Sequence, residues 1–199
     1  MSLRTEKLTY SYKKGNVVLA DTSLEILPGE RVGLVAPSGA GKTTLMRLLG
    51  GFLTVQEGCV EVDGRALPKK GYCPVQMIGQ HPELYVNPRR RMKQVLKEGD
   101  RVESRIIKTL GIEDIWLERF PHELSGGELQ RFNIARALGS RTRYLLADEI
   151  TTMLDVVTQC QIWEFLIEEC ERRNIGILAA SHDEALLSRV CTRMIKWDR

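Results

Sequence analysis

Apolar positions follow two rhythms along this chain. Runs rich in Val, Ile and Leu, bounded by turn-forming residues, predict strands at 3–12, 22–26, 31–36, 58–62, 72–78, 144–148, 175–181 and 191–197. Recurrence at three- and four-residue spacing predicts helices at 42–49, within 92–110, and at 126–138, 156–172 and 183–188. The runs RVGLVA at 31–36 and IGILAA at 175–180 show no in-out alternation, which suits parallel strands covered on both faces by helices. The fold class is therefore α/β. Between Gln80 and Ser125 the chain turns polar and helical, with the basic run PRRRMK at 88–93 and then Val102, Ile106, Ile107 and Leu110 at helical spacing. This stretch reads as a helical insertion carried by the α/β core. On the helix from Val156, residues Val156, Cys160, Trp163, Ile167 and Cys170 share one stripe and are expected to face the core.

Composition narrows the class without naming a partner. With 199 residues, 43% hydrophobic and 28% charged, the chain has the make-up of one soluble domain, residues 1–199, and not of a disordered or fibrous protein. Its net charge of +3 falls short of a dedicated nucleic-acid binder, so no nucleic-acid partner is expected. Five cysteines, at 59, 73, 160, 170 and 191, form no C-x-x-C pair, which reads as reduced thiols. No stretch approaches the roughly 20 apolar residues of a membrane helix, so work at a membrane depends on other chains.

Candidate chemistry begins at Ala36, where APSGAGKT follows an apolar strand and opens a helix. In such a loop the small residues Pro37, Ser38, Gly39, Ala40 and Gly41 let backbone N–H groups close on phosphate oxygens. Lys42 supplies a cation for the β and γ phosphates, and the Thr43 hydroxyl is a magnesium ligand, with Thr44 beside it. Ala36 stands where the strict pattern has Gly, so an ordinary negative φ is expected at the strand exit. A glycine-rich turn without a ligand is the plain alternative. A triphosphate also needs Mg²⁺ held by a carboxylate at the end of a neighbouring strand; YLLADE at 144–149 offers Asp148 for the metal and Glu149 to orient or deprotonate a water. By itself that pair is equally a solvated turn.

Between these two segments lies LSGGELQR at 124–131. As bare chemistry it is an anion site, with Ser125 as an N-cap and Gly126 and Gly127 exposing N–H groups ahead of Glu128. In this order the three segments resemble the phosphate loop, signature sequence and metal-binding strand of ATP-binding cassette (ABC) ATPases, over essentially the whole chain. The resemblance implies a phosphate-loop NTPase core with a mainly parallel sheet, N-terminal antiparallel β elements and a short helical insertion: core at 1–79 and 139–199, insertion with the signature at 80–138. It implies ATP and Mg²⁺ as cofactors and ATP hydrolysis as the activity. It also makes Gln80 similar to the glutamine that contacts Mg²⁺ and the attacking water, Asp155 to the aspartate of the following loop, His182 to the switch histidine near the γ-phosphate, and Tyr12 to the aromatic that stacks on adenine, with Tyr10 as runner-up.

Within the family, QHPELYVNPR at 80–89 is similar to importer ATPases for oligopeptides, dipeptides and nickel, while Ile150 departs from the usual Pro and the 80–125 interval is short for that group. The expected partners are integral membrane permease subunits and a second ABC ATPase, identical or not, in a head-to-tail dimer. The expected location is cytoplasmic, peripheral on the inner face of the membrane. The rival reading is a soluble ABC ATPase acting on nucleic acid or the ribosome, or serving another enzyme complex. The absence of a long heptad repeat between 44 and 124 and the single cassette weigh against it.

Overall fold

The computed structural model describes residues 1–13, 15–37, 39–152 and 154–197. Two sheets form the frame. An antiparallel sheet of order β2-β1-β4-β5 is built from β1 (Leu3–Lys13), β2 (Asn16–Ile26), β4 (Glu57–Val62) and β5 (Arg65–Ala66). A parallel sheet of order β6-β7-β8-β3-β9 takes β3 (Arg31–Val35), β6 (Val75–Ile78), β7 (Tyr144–Asp148), β8 (Gly176–Ala180) and β9 (Arg193–Lys196). Helices α1 (Lys42–Leu49), α5 (Gly126–Ala137), α6 (Val156–Arg173) and α7 (Glu184–Val190) accompany it, and the short α2 (Met92–Leu96), α3 (Ser104–Thr109) and α4 (Asp114–Leu117) fill the middle of the chain.

Strand β1 shows how the backbone adapts to its core. Leu3 and Thr5 are buried, then Leu8 and Tyr10, so the in-out phase slips by one residue. Lys7 absorbs the slip with φ 47°, and the pairing with β2 shifts register between Thr5 and Leu8, as at a β-bulge. A similar break at Asp21, φ 46°, hides the first half of β2 from a period-two reading; the strand begins at Asn16 and not at Thr22.

Every residue of β7 is buried, because the parallel sheet is covered on both faces. Leu145 and Ala147 join the core under α5 and α6, while Tyr144 and Leu146 join a second core with Leu45 and Met46 of α1 and Leu3, Leu8 and Leu19 of the antiparallel sheet. One face is thus covered by helices, and the other by α1 and a second sheet, which corrects the expectation of helices on both sides. The expected single helical region within 92–110 is two short helices, separated around Gly99 and Asp100, with Ile106 and Leu110 buried as the spacing predicts. On α6 the stripe is displaced: Val156 is 74% exposed and Cys160 is exposed, and the core face is Ile162, Trp163, Phe165, Leu166, Glu169 and Cys170.

Candidate functional site

Strands β3, β7 and β8 run parallel, so their carboxyl ends reach one edge of the sheet, the position where open α/β sheets take ligands. β3 ends at Val35 and leads through the loop to α1. Gly39 and Gly41 hold φ of 79° and 98°, the left-handed values that let their N–H groups turn inward, whereas Ala36 is outside the positive-φ region as expected. A Cβ on Gly41 would stand 3.0 Å from Leu19 and 3.1 Å from Val18, so β2 closes on the loop from behind. Ser38 lies outside the described residues. Lys42 is 6% exposed, and its ammonium spans the loop, donating to the carbonyls of Ala36 at 2.6 Å and Pro37 at 3.2 Å.

The Thr43 hydroxyl donates to Asp148 Oδ2 at 2.7 Å, joining the start of α1 to the end of β7. The sheet order corrects the expectation that the carboxylate sits on the strand next to the loop strand: β8 lies between β3 and β7, and the Thr43–Asp148 contact bridges its end. Burial pushes the Asp148 carboxyl up, against the Thr43 hydroxyl and the charges of Lys42 and Arg47, which pull it down. A hydroxyl and a carboxylate side by side are hard-oxygen donors that suit Mg²⁺. Among the described residues no group of three His, Cys, Asp or Glu is placed to hold a metal alone, so a cation here needs phosphate and water oxygens as well.

Glu149 leaves the sheet with φ 53°, a strained value for a non-glycine residue. Its N–H makes a last bond to Ala180 O of β8 at 3.0 Å, and its carboxylate oxygen Oε1 lies 2.7 Å from His182 Nε2. Gln80, just past β6, reaches toward Thr152 with Nε2 at 3.5 Å from Oγ1. Tyr12 is 53% exposed, stands edge-on to Tyr10 with centroids 5.2 Å apart, and shares a hydrogen bond with Thr44 Oγ1 at 3.2 Å. Tyr10 is 8% exposed and belongs to the core, so of the two only Tyr12 offers a ring face to a ligand. Tyr12, Gly39, Gly41, Lys42, Thr43, Thr44, Gln80, Glu149 and His182 line one cleft of about 450 Å³.

The signature residues do not line that cleft. Ser125 caps α5: its Oγ accepts from Glu128 N at 3.3 Å, and Glu128 Oε2 accepts from Ser125 N at 2.7 Å. Glu128 is therefore occupied by the cap, while a Cβ on Gly126 would meet open space. Gly127 faces Leu154, whose Cδ2 would lie 3.1 Å from an added Cβ. Asp155 caps α6 by accepting from Thr158 N at 3.0 Å and Thr158 Oγ1 at 2.6 Å, bonds that hold its carboxyl below the usual range.

Sequence reading missed how α5 holds the loop after β6. Gln130, Asn133 and Arg136, three residues apart on the helix, donate to Gly79 O at 3.2 Å, Pro82 O at 3.0 Å and Tyr85 O at 2.6 Å. The available signal was polar residues at helical period on a helix that also buries Leu129, Phe132 and Ile134. Gly79 was missed too: a Cβ there would come within 2.4 Å of Tyr85 ring atoms. A second, larger groove of about 990 Å³, lined by Phe52, Leu84, Tyr85 and Arg136 among others, contains none of the phosphate-loop residues.

The sequence profile of the ABC transporter family matches residues 19–152. The dipeptide transport ATP-binding protein DppF of Lactococcus lactis subsp. cremoris is 33% identical over 205 residues, covering 92% of this chain and 66% of that protein. The nickel import ATP-binding protein NikE of Shigella boydii serotype 4 is 32% identical over 200 residues, covering 91% of this chain and 75% of that protein. This chain thus spans about two thirds to three quarters of the length of these curated relatives. A dimeric, post-hydrolysis structure of the ATP-binding cassette MJ0796 with ADP and Pi shares the fold, with TM-score 0.84 at 24% identity over 98% of this chain and 94% of that one. The chain belongs to the ABC transporter family, and its fold is that family's ATPase cassette.

Proposed function

We propose that the chain binds ATP with Mg²⁺ in the cleft at the ends of β3 and β7 and hydrolyses it to drive an importer for peptides, nickel or a similar small solute. Tyr12 stacks on the adenine, residues 37–41 surround the phosphates, and Lys42 exchanges its loop carbonyls for phosphate oxygens. Thr43, Asp148 and Gln80 hold the metal, which would draw charge from the phosphates when bound. Glu149 accepts the proton of the attacking water, and His182, already on its carboxylate at 2.7 Å, fixes its direction. The substrate class follows that of the dipeptide-transport and nickel-import relatives. No helix among the described residues is long and apolar enough to cross a membrane, so permease subunits would span it and hold the chain on the inner face. The groove with exposed Phe52 and Leu84, 58% and 71%, is the surface offered to them.

One observation carries this reading: the hydrolytic side chains converge, while Ser125, Gly126, Gly127, Glu128 and Asp155 stand outside the same chain's cleft. They serve the nucleotide only if a second cassette, identical or not, presents them across an interface. Glu149→Gln keeps shape and hydrogen bonding but cannot take a proton at neutral pH, so ATP should persist and dimers accumulate. Adding Ser125→Arg puts bulk and charge where the γ-phosphate of the opposite site should dock, and should leave monomers. Light scattering with and without ATP reads the difference; equal dimer populations in both variants would refute the shared site.

A further inference from the structure

Gln130 lies in α5, five residues past the cap Ser125, and its side chain is buried at 3% exposure. Its Nε2 donates to Gly79 O at 3.2 Å and to Ile150 O at 2.9 Å. Gly79 immediately precedes Gln80, and Ile150 immediately follows Glu149. The amide orientation is forced, because the reversed group would set an oxygen against two carbonyl oxygens. Its Oε1 is buried without a partner among the described residues, so the group is held by its two donated bonds. Between the same two loops the bond from Gln80 to Thr152 is longer, at 3.5 Å, and exposed.

Resting on the hydrolytic reading above, we propose that Gln130 is a positioning residue that ties the loop of Gln80 and the turn of Glu149 to the signature helix, so that the three shift as one body. Only a side chain with two donors on one nitrogen, at this reach, serves both carbonyls from a helix. Ile150 completes the joint from the other side, since its side chain is 3% exposed and packed in the core. A turn without proline is thereby held by burial and by Gln130. A displacement of the signature helix on dimer closure would reach Gln80 and Glu149 together.

The test is Gln130→Met, which conserves length and volume and removes both donors. The turnover number should fall tenfold or more while KM for ATP stays within about twofold, because geometry at the water is disturbed and the phosphate loop is not. Independently of activity, the backbone ¹⁵N resonances of Gln80 and Thr151, whose peptide units carry the two acceptor carbonyls, should both move in the variant. In the wild type the Gln130 carboxamide protons should exchange with solvent far more slowly than those of exposed glutamines, a reading that needs no variant to fold. Unchanged Gln80 and Thr151 resonances, freely exchanging carboxamide protons, or a loss of ATP binding in step with a lower melting temperature would each overturn the proposal. If the wild type hydrolysed no ATP, the functional reading would fail while the resonances and the exchange rate still decided the tie.

Discussion

Glu169 is fully buried on α6, yet three guanidinium groups converge on it. Arg105 at the start of α3 pairs with Oε2, Arg172 lies 2.7 Å from Oε1, and Arg173 3.7 Å from the same oxygen. Arg172 also reaches both oxygens of Glu103 at 3.1 Å, so the cluster fastens α3 to the end of α6. Glu169→Gln preserves shape and one acceptor but removes the negative charge that faces all three guanidinium groups. Loss of one partner from a buried pair costs about 3–5 kcal/mol. Arg105 and Arg172 have side chains 41% and 45% exposed and can turn to water, whereas Arg173, 11% exposed, cannot; its carbonyl partners Leu138 and Gly139 nevertheless keep it satisfied. The expected loss is therefore at the lower end, about 3 kcal/mol, or roughly 6–12 °C in melting temperature for a chain of this size. Arg105→Ala should cost under about 1 kcal/mol, because the exposed partner leaves Glu169 with two others. Thermal melts followed by circular dichroism, with urea midpoints at unchanged slope, measure both. A Glu169→Gln protein melting within about 2 °C of the wild type would refute the reasoning.

Thiol chemistry should separate the cysteines: at pH 8.5 iodoacetamide should label exposed Cys160 well before Cys170, which burial pushes up to about 12, and Cys191, pushed up to about 11, as mass spectrometry of a time course would show. Equal rates would contradict the assigned core face of α6. Alkaline pH should destabilise the protein in part through Tyr144, which is 1% exposed and pushed up to about 12 by burial. The unfolded tyrosine ionises first, near pH 10, so stability should fall as pH climbs from about 10 toward 12, by on the order of 2 kcal/mol. Tyr144→Phe should lack that part of the decline in a urea series across pH, and an identical decline would exclude the tyrosine as its source.

Much of the frame was legible because burial on both faces leaves uninterrupted apolar runs, as in β7, and because Gly41 and Ser125 mark helix starts by their own conformational chemistry. The phosphate loop, Asp148 and Glu149 stand out as candidates because each sits where an apolar strand ends, although the carboxylate pair gains meaning only beside the other two segments. What escaped was set by tertiary geometry. The bulges at Lys7 and Asp21 disguise the length of the antiparallel strands, and the insertion of β8 between β3 and β7 has no local signature. The first turn of α6 reads as amphipathic but projects beyond the core, leaving Val156 and Cys160 in the open. Gln130 has no signal of its own in the sequence; only its burial beside two carbonyls distinguishes it.

The central claim is that Lys42 serves binding in this cleft and Glu149 serves the chemical step, and one comparison separates them. ATP affinity by calorimetry and phosphate release in the presence of Mg²⁺ are measured on wild type, Lys42→Ala and Glu149→Gln. Lys42→Ala should show weakened binding and background turnover, and Glu149→Gln should retain binding with turnover reduced by about 10² to 10⁴. A wild type that binds no ATP, or a Glu149→Gln protein that turns over at the wild-type rate, would contradict the claim.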